Sequence, residues 1–202
     1  MKLTDDDITL KGDRVIEHVP SINDKALRIN LNENIYGTFS EIGAGQETMR
    51  HFFRSGGSSG TIAKAMSAYD KDFSDAIYGV EEDGRYVTES RLKKMLSHEV
   101  KIIESRLKRD KHPSKVFFSY ANTVATIDFA KQFKGHGWVG IKYQVEPDED
   151  YNEIILHIRF KETDARLQQE TLGILGVNLI YGAFYKYNDP KKLLRYLYDH
   201  LD

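Results

Sequence analysis

The chain has 202 residues, of which 40% are hydrophobic and 30% are charged, with a formal net charge of −2 and no cysteine. This length and composition are those of one globular domain with a well-formed core. The missing cysteines exclude disulfides, thiolate zinc sites and cysteine nucleophiles. The interleaved acidic and basic residues disfavour duplex nucleic acid as a partner.

The sequence also disfavours membrane insertion. Residues 1–18 carry no apolar run of the kind found in a signal peptide. The longest apolar run, LGILGVNLIYGAFY at 172–185, contains Asn178 and is shorter than the roughly 20 residues of a spanning helix. We therefore expect a cytoplasmic protein that does not enter the membrane.

The N-terminal region predicts an arm followed by the start of a domain. Residues 1–24 are polar and predict a peripheral arm with a short hairpin around Gly12, so that residues 25–202 form a single domain. KALRINL at 25–31 alternates apolar and polar residues and predicts a strand. The Asn- and Gly-rich segment that follows, 32–45, predicts an ordered and partly buried loop.

Helical periodicity dominates the next part of the chain. Residues 46–54 and 61–78 carry apolar residues at helical spacing and predict two helices, separated by the sequence SGGSSG. Gly79 is placed to end the second helix. A third helix is predicted to begin at Thr88 and to continue to Leu107, because its apolar positions form one continuous face.

The C-terminal half combines strands and helices. Residues 115–126 predict a strand, and residues 137–147 and 151–160 predict a hairpin closed by an acidic turn. Helices are predicted over 164–185 and from Asp189 onward, where Pro190 suits the first helical position. The fold class is therefore α/β or α+β, a single domain with a mixed sheet of four or five strands faced by four to five helices.

Glycines within the predicted helix 164–185 indicate close packing. Gly173, Gly176 and Gly182 each lower the helix propensity by roughly 1 kcal/mol relative to alanine. We expect another element to pack closely against this helix.

The segment EIGAGQETMRHFFRSGGSSGTIAKAMSAYD, 41–70, holds the strongest candidate binding site. Each of its two glycine-rich breaks opens a predicted helix, and helix N-termini stabilise anions through unpaired amides. The predicted ligand-binding residues here are Glu41, Gly43, Gly45, Gln46, Arg50, Arg54, Ser55, Ser58, Ser59, Gly60, Thr61 and Lys64. The alternative is that both breaks are ordinary turns, since the spacing matches neither a P-loop nor a dinucleotide-binding fingerprint.

Three further polar residues extend the predicted site. Asn122 and Thr123 stand at the end of a predicted strand, where α/β folds bind ligands, or they form a turn that ends the strand. His136 lies between glycines and is the candidate acid or base, unless it is a surface turn residue. The histidine spacing matches no metal motif, so we expect no metal, and no cofactor is indicated.

Five segments together carry a family resemblance: LNENIYGTFSEIGAGQETMRHFFR, GTIAKAMSAYDKDFSDAIYG, FFSYANTVAT, GHGWVGIKYQ and QQETLGILGVNLIYGAFY. They resemble the N-terminal part of a bacterial family of uncharacterised cytoplasmic proteins, over roughly residues 25–200. Members of that family are longer, which implies that this chain is the N-terminal part of a longer protein or a short form.

Some members of that family carry the name nicotinate-nucleotide or nicotinamide-mononucleotide adenylyltransferase, and others TonB-dependent receptor. The first name does not fit the residues, because KGHGWVG has one histidine where an HxGH signature needs two. The second does not fit a chain without a signal sequence. No catalytic residue is therefore transferred from the family.

Two functional hypotheses follow from the sequence. In the first, the domain binds a phosphate-bearing small molecule or nucleotide at the two glycine-rich helix starts. In the second, the same polar residues form a buried network or the interface of a homo-oligomer, in a domain without catalytic activity.

Overall fold

The computed structural model describes residues 8–11, 14–17, 19–132 and 134–201, and it confirms a single α/β domain. The helices are α1 (Ile22–Asn30), α2 (Glu47–Ser55), α3 (Lys71–Tyr78), α4 (Glu89–Arg106), α5 (Ala165–Tyr185) and α6 (Pro190–Leu197). The strands are β1 (Ile8–Lys11), β2 (Arg14–Glu17), β3 (Ile35–Gly43), β4 (Ile62–Ala68), β5 (Val116–Ala125), β6 (His136–Tyr143) and β7 (Asn152–Arg159).

The main sheet has five strands in the order β4-β3-β5-β6-β7. Strands β4, β3 and β5 are parallel, and β6 and β7 continue the sheet as the predicted antiparallel hairpin. The carboxyl ends of the three parallel strands meet at one edge, which we call the carboxyl edge. Strand β6 begins and β7 ends at this same edge. We call the opposite edge, where the three parallel strands begin, the amino edge.

Helices cover both faces of the sheet. Helices α1, α2 and α5 pack on one face, where Phe39 of β3 and Tyr120 of β5 lie in the larger core. Helices α3 and α4 pack on the other face, where Ile42 and Ala121 meet Leu92 of α4. Alternate residues of β3 and β5 therefore point into different cores, as the two-residue period of a strand requires.

The contact between α2 and α5 depends on glycine, as the helix-interior glycines predicted. A Cβ at Gly173 would lie 2.7 Å from Glu47 Cβ, and one at Gly176 would lie 2.2 Å from Thr48 Oγ1. No side chain fits between the two helices at these positions. The loss of helix propensity at both glycines is therefore offset by the close approach of α2.

Residues 25–31 are not a strand but most of helix α1, and this prediction was wrong. Ser21 caps the helix by accepting the amide of Asp24 at 3.2 Å. The buried residues Lys25, Ala26 and Ile29 follow the spacing of a helix rather than of a strand. Lys25 is buried because it pairs with Asp199 at 2.6 Å. A lysine at a core position interrupts the apolar pattern by which a helix is predicted.

The segment predicted as a loop, 32–45, contains β3, the strand that pairs with both β4 and β5. The single helix predicted over 61–78 is also wrong, because this segment divides into β4 and α3. Pairing with β3 fixes β4 as a strand. Asp70 then starts α3 by accepting the amide of Phe73 at 2.8 Å.

The hairpin predicted in the N-terminal arm is present, because β1 and β2 pair in antiparallel fashion. Gly12, around which it was predicted, lies outside the described residues.

Candidate functional site

The first glycine-rich break lies at the carboxyl edge, between β3 and α2. Gly43 has a φ of +77°, and a Cβ there would lie 2.2 Å from the carbonyl oxygen of Val124. A Cβ at Gly45 would lie 1.9 Å from Asn122 Oδ1. Both positions therefore require glycine, the first for its conformation and the second for its contact with Asn122.

Glu41 and Asn122 lie buried beneath this turn, side by side on β3 and β5. Asn122 Nδ2 donates to Glu41 Oε1 at 3.3 Å and to the carbonyl oxygen of Gly45 at 3.0 Å. Among the described residues, no hydrogen-bond partner reaches the other oxygen of either side chain, Glu41 Oε2 or Asn122 Oδ1. Both are buried polar atoms whose hydrogen-bonding capacity a bound molecule could satisfy.

Glu41 is electrostatically unusual. Burial raises its pKa well above the ordinary value, against the smaller opposing effects of hydrogen bonds from the Met49 amide and from Asn122. The neutral acid is therefore favoured, because a buried carboxylate loses its hydration. A neutral Glu41 does not cancel the partial positive charge at the start of α2.

Tyr120 and Thr48 link this buried group to α2. Their hydroxyls lie 2.9 Å apart, and Asn122 Nδ2 donates to Tyr120 Oη at 3.4 Å. Burial raises the pKa of Tyr120, so its hydroxyl stays protonated and available as a donor. The four side chains form one polar network between the sheet and α2.

Exposed and half-buried polar groups surround the start of α2. Gln46 Nε2 donates to the carbonyl oxygen of Gly43 and to Ser67 Oγ, the latter at 2.9 Å. Arg50 Nη1 donates to Glu47 Oε1 at 2.7 Å, and its side chain is 53% exposed. The guanidinium therefore lies over the first turn of α2, because helical side chains point toward the N-terminus.

The second glycine-rich break lies at the amino edge of the sheet, just before β4. The residues Ser58–Gly60 form a short 3-10 turn rather than the start of an α-helix, so the predicted second helix opening does not exist. The carbonyl oxygen of Thr61 accepts the amide of Gly37, near the beginning of β3. From Gly37 to Gly43, β3 advances about 20 Å, so the two breaks do not share a pocket.

The other predicted residues of this group follow the second break. Ser55 Oγ donates to the carbonyl oxygen of His51, and Thr61 Oγ1 to that of Asn30. Arg54 and Ser59 are exposed near the amino edge. Lys64 faces α4 and pairs with the buried Glu99 at 2.6 Å. These residues are distant from Gly45.

Thr123 and His136 lie at the carboxyl edge, but on the side of the sheet that α4 covers. Thr123 Oγ1 donates to the carbonyl oxygen of Tyr86 at 2.6 Å. The ring of His136 lies 5.7 Å from that of His157. Burial lowers the pKa of His136, and the charges of His157 and Arg159 lower it further.

Sequence reasoning missed several participants. Thr48 and Tyr120 fall within a predicted helix and a predicted strand, and a polar atom at a core position of each element is a signal that could have identified them. Ser67 falls within the helix wrongly predicted over 61–78. The stacking of Trp138 on His157 depends on hairpin register, which pairs these two residues directly.

Two broad features of the described chain bear on its chemistry. Within the ranges that the structure describes, no helix is both long and apolar enough to cross a bilayer. Across the same ranges, the histidine and acidic side chains form no group of three or more that could hold a metal ion.

The comparisons with known proteins define a fold class. No protein-family profile matches the chain, and no curated protein is significantly similar in sequence. Solved structures of bacterial competence-damage proteins share the fold.

One of these is a competence-damaged protein (CinA) superfamily protein from Enterobacter cloacae, with a TM-score of 0.56 and 11% identity over 87% of this chain and 99% of that chain. Another is the competence/damage inducible protein CihA from Agrobacterium tumefaciens, with a TM-score of 0.55 and 15% identity over 82% of this chain and 97% of that chain. A third is a competence or damage-inducible protein from Enterobacter asburiae, with a TM-score of 0.53 and 11% identity over 80% of this chain and 95% of that chain. At these identities the likeness concerns the fold alone.

Proposed function

We propose that the protein binds a phosphate-bearing small molecule or a nucleotide at the start of α2. The observation that carries this proposal is the path of the chain at the carboxyl edge. There β3 runs through Gly43 and Gly45 directly into α2, beside the end of β5. Open α/β sheets bind ligands outside the carboxyl ends of their strands, and helix N-termini bind phosphate.

The start of α2 differs from the other helix starts of the described chain. A side-chain oxygen of the N-cap residue accepts a backbone amide in α1, α3, α4, α5 and α6. Gln46, the N-cap residue of α2, makes no such bond. At this helix start the Met49 amide donates to Glu41 Oε1 over a long 3.4 Å. An incoming phosphate oxygen would supply the missing acceptor.

The charges around the site support an anionic ligand. The neutral form of Glu41 is favoured by burial, and the carboxylate of Glu47 is already engaged by Arg50. Arg50 can therefore be shared with a phosphate placed over the first turn, where a charge-assisted bond contributes about 1.5–3 kcal/mol.

Matched arginine variants test the proposal. Arg50→Ala and Arg54→Ala remove exposed arginines one turn apart on α2, but only Arg50 lies over the first turn. Calorimetric titrations would use inorganic phosphate and a panel of nucleotides and sugar phosphates. Arg50→Ala should weaken binding by about 10- to 100-fold, while Arg54→Ala should change it less than about twofold. Equal effects, or a panel without any binder, would contradict the proposal.

A second candidate function is a non-catalytic interaction domain. It is favoured by the complete burial of Glu41, Asn122 and Thr123, each of which bonds to other protein groups. Near α3, Tyr69 and Phe73 are 71% and 60% exposed, which suits a subunit interface. Under this alternative, Arg50→Ala would lower the melting temperature or dissociate an oligomer seen by sedimentation, without affecting any ligand.

A further inference from the structure

The β6–β7 hairpin carries a second group of side chains with recognition chemistry, on the face of the sheet that α4 covers. We call His136, Trp138, His157 and Arg159 the hairpin cluster. Trp138 is opposite His157 in the strand register, and His136 is opposite Arg159. The rings of Trp138 and His157 are stacked, with centroids 4.4 Å apart and planes 14° apart. The His136 ring meets His157 edge-on at 5.7 Å.

The hairpin cluster is accessible and well supported. Strand β7 is the last strand of the sheet, and the side chains of His157 and Arg159 are exposed on it. Trp138 is partly buried, where it packs against the core that contains Leu92 of α4. The indole is therefore fixed by the core, and the imidazole stacked on it is presented to solvent as a planar surface.

The charges of the hairpin cluster favour an anion. Arg159 is always protonated, and it lies directly opposite His136 in the strand register, beside the stacked rings. An aromatic surface bordered by an arginine is a combination that proteins use to hold nucleobases beside their phosphates.

We propose that the hairpin cluster binds a planar aromatic ring that carries an anionic group, such as a nucleobase with its phosphate. The ring stacks on His157 and extends the stack begun by Trp138, and the anionic group pairs with Arg159. This site is separate from the start of α2. Strand β7 lies three strands from β3, about 14 Å at ordinary strand spacing, and the two sites face opposite sides of the sheet.

The single tryptophan makes the proposal directly measurable, because Trp138 is the only one in the chain. Titrating the wild-type protein with AMP should change Trp138 emission in a saturable manner. Adenosine should do so with lower affinity, and inorganic phosphate, which has no ring, should leave the emission unchanged. Unchanged emission with AMP up to millimolar concentration would overturn the proposal.

Substitutions separate the ring from the charge. His157→Ala should weaken AMP binding by about fivefold or more, the lower end of the stacking contribution of one base. His157→Phe keeps a stacking ring and should retain adenosine binding, which distinguishes a lost surface from a damaged strand. Arg159→Gln should reduce the affinity for AMP to that for adenosine. Glu153→Ala is the matched control, because Glu153 is exposed on the same face of β7.

The outcome also distinguishes this site from the one at α2. AMP binding that survives Arg50→Ala but not His157→Ala or Arg159→Gln assigns the nucleotide to the hairpin cluster. Binding that survives both hairpin substitutions but not Arg50→Ala overturns the hairpin proposal and leaves the α2 proposal standing.

Discussion

Gly176→Ala is the most direct perturbation of the contact that links α5, α2 and the buried polar network. The added Cβ would lie 2.2 Å from Thr48 Oγ1 and 2.5 Å from Tyr120 Oη. Ordinary van der Waals contact begins near 3.4 Å. Relief of the overlap therefore requires a shift of about 1 Å in α2, in β5 or in the two side chains, and it separates the two hydroxyls that now lie 2.9 Å apart.

The expected cost combines three contributions. Overpacking of a core contact costs about 1–3 kcal/mol. The loss of one buried hydrogen bond costs about 1 kcal/mol. Alanine returns about 1 kcal/mol through its higher helix propensity. The net destabilisation is therefore about 2 kcal/mol, which corresponds to a melting temperature about 4–8 °C lower for a domain of this size.

Urea denaturation followed by circular dichroism measures this difference. Gly182→Ala is the matched control in the same helix, because within the described residues its Cβ would meet the flexible side chain of Leu193 alone, with Cδ1 at 2.3 Å. It should cost less than about 1 kcal/mol, since the side chain can move aside. The reasoning would be refuted if Gly176→Ala were as stable as Gly182→Ala. Thr48→Ala combined with Gly176→Ala should be less destabilised than the sum of the single variants, because Thr48 is the main obstacle.

Three further predictions concern charge. Burial raises the pKa of Glu41, so its contribution to stability is complete below an ordinary pKa of about 4.5 and declines as the pH rises. In urea titrations between pH 4.5 and 8, Glu41→Gln should therefore gain stability relative to the wild type. Burial and the charge of His157 lower the pKa of His136, so stability declines as the pH falls below about 6.5, and His136→Asn should reduce the fall in melting temperature between pH 7.5 and 5.5. Lys25 is fully buried and bonds Asp199 at 2.6 Å; Lys25→Ala should cost about 3 kcal/mol in urea titrations, and Lys25→Met with Asp199→Asn should recover part of it.

The fold could be predicted where the hydrophobic periodicity of a segment matches the face that the segment buries. Helix α4 was predicted from its apolar positions, which are buried along one face. The β6–β7 hairpin was predicted from its two strand patterns and the acidic turn between them, and Ile154, Leu156 and Ile158 of β7 are half-buried while His157 and Arg159 are exposed. The glycines of α5 predicted a close neighbour, and α2 is that neighbour.

The wrong predictions for β4 and α1 have a common physical cause, because contacts with distant parts of the chain decided both structures. In β4 the contact is strand pairing, and in α1 it is the partner of a buried charge. Strand β4 carries alanine, methionine and isoleucine, which also suit a helix, and only its ladder with β3 makes it a strand. Helix α1 buries Lys25 because Asp199 and Asn178, more than 150 residues later in the chain, provide its partners. A partner so distant leaves no local trace in the sequence.

The division of the predicted binding site follows from the same topology. The two glycine-rich breaks flank α2, and α2 is the crossover between the parallel strands β3 and β4. Such a helix begins at the carboxyl edge of a sheet and ends at the amino edge, because both strands run in one direction. Its nine residues span about 13 Å. Two turns at opposite ends of one crossover helix therefore cannot form one small-molecule pocket, and the proposed phosphate site uses the first turn alone, with Asn122 beside it.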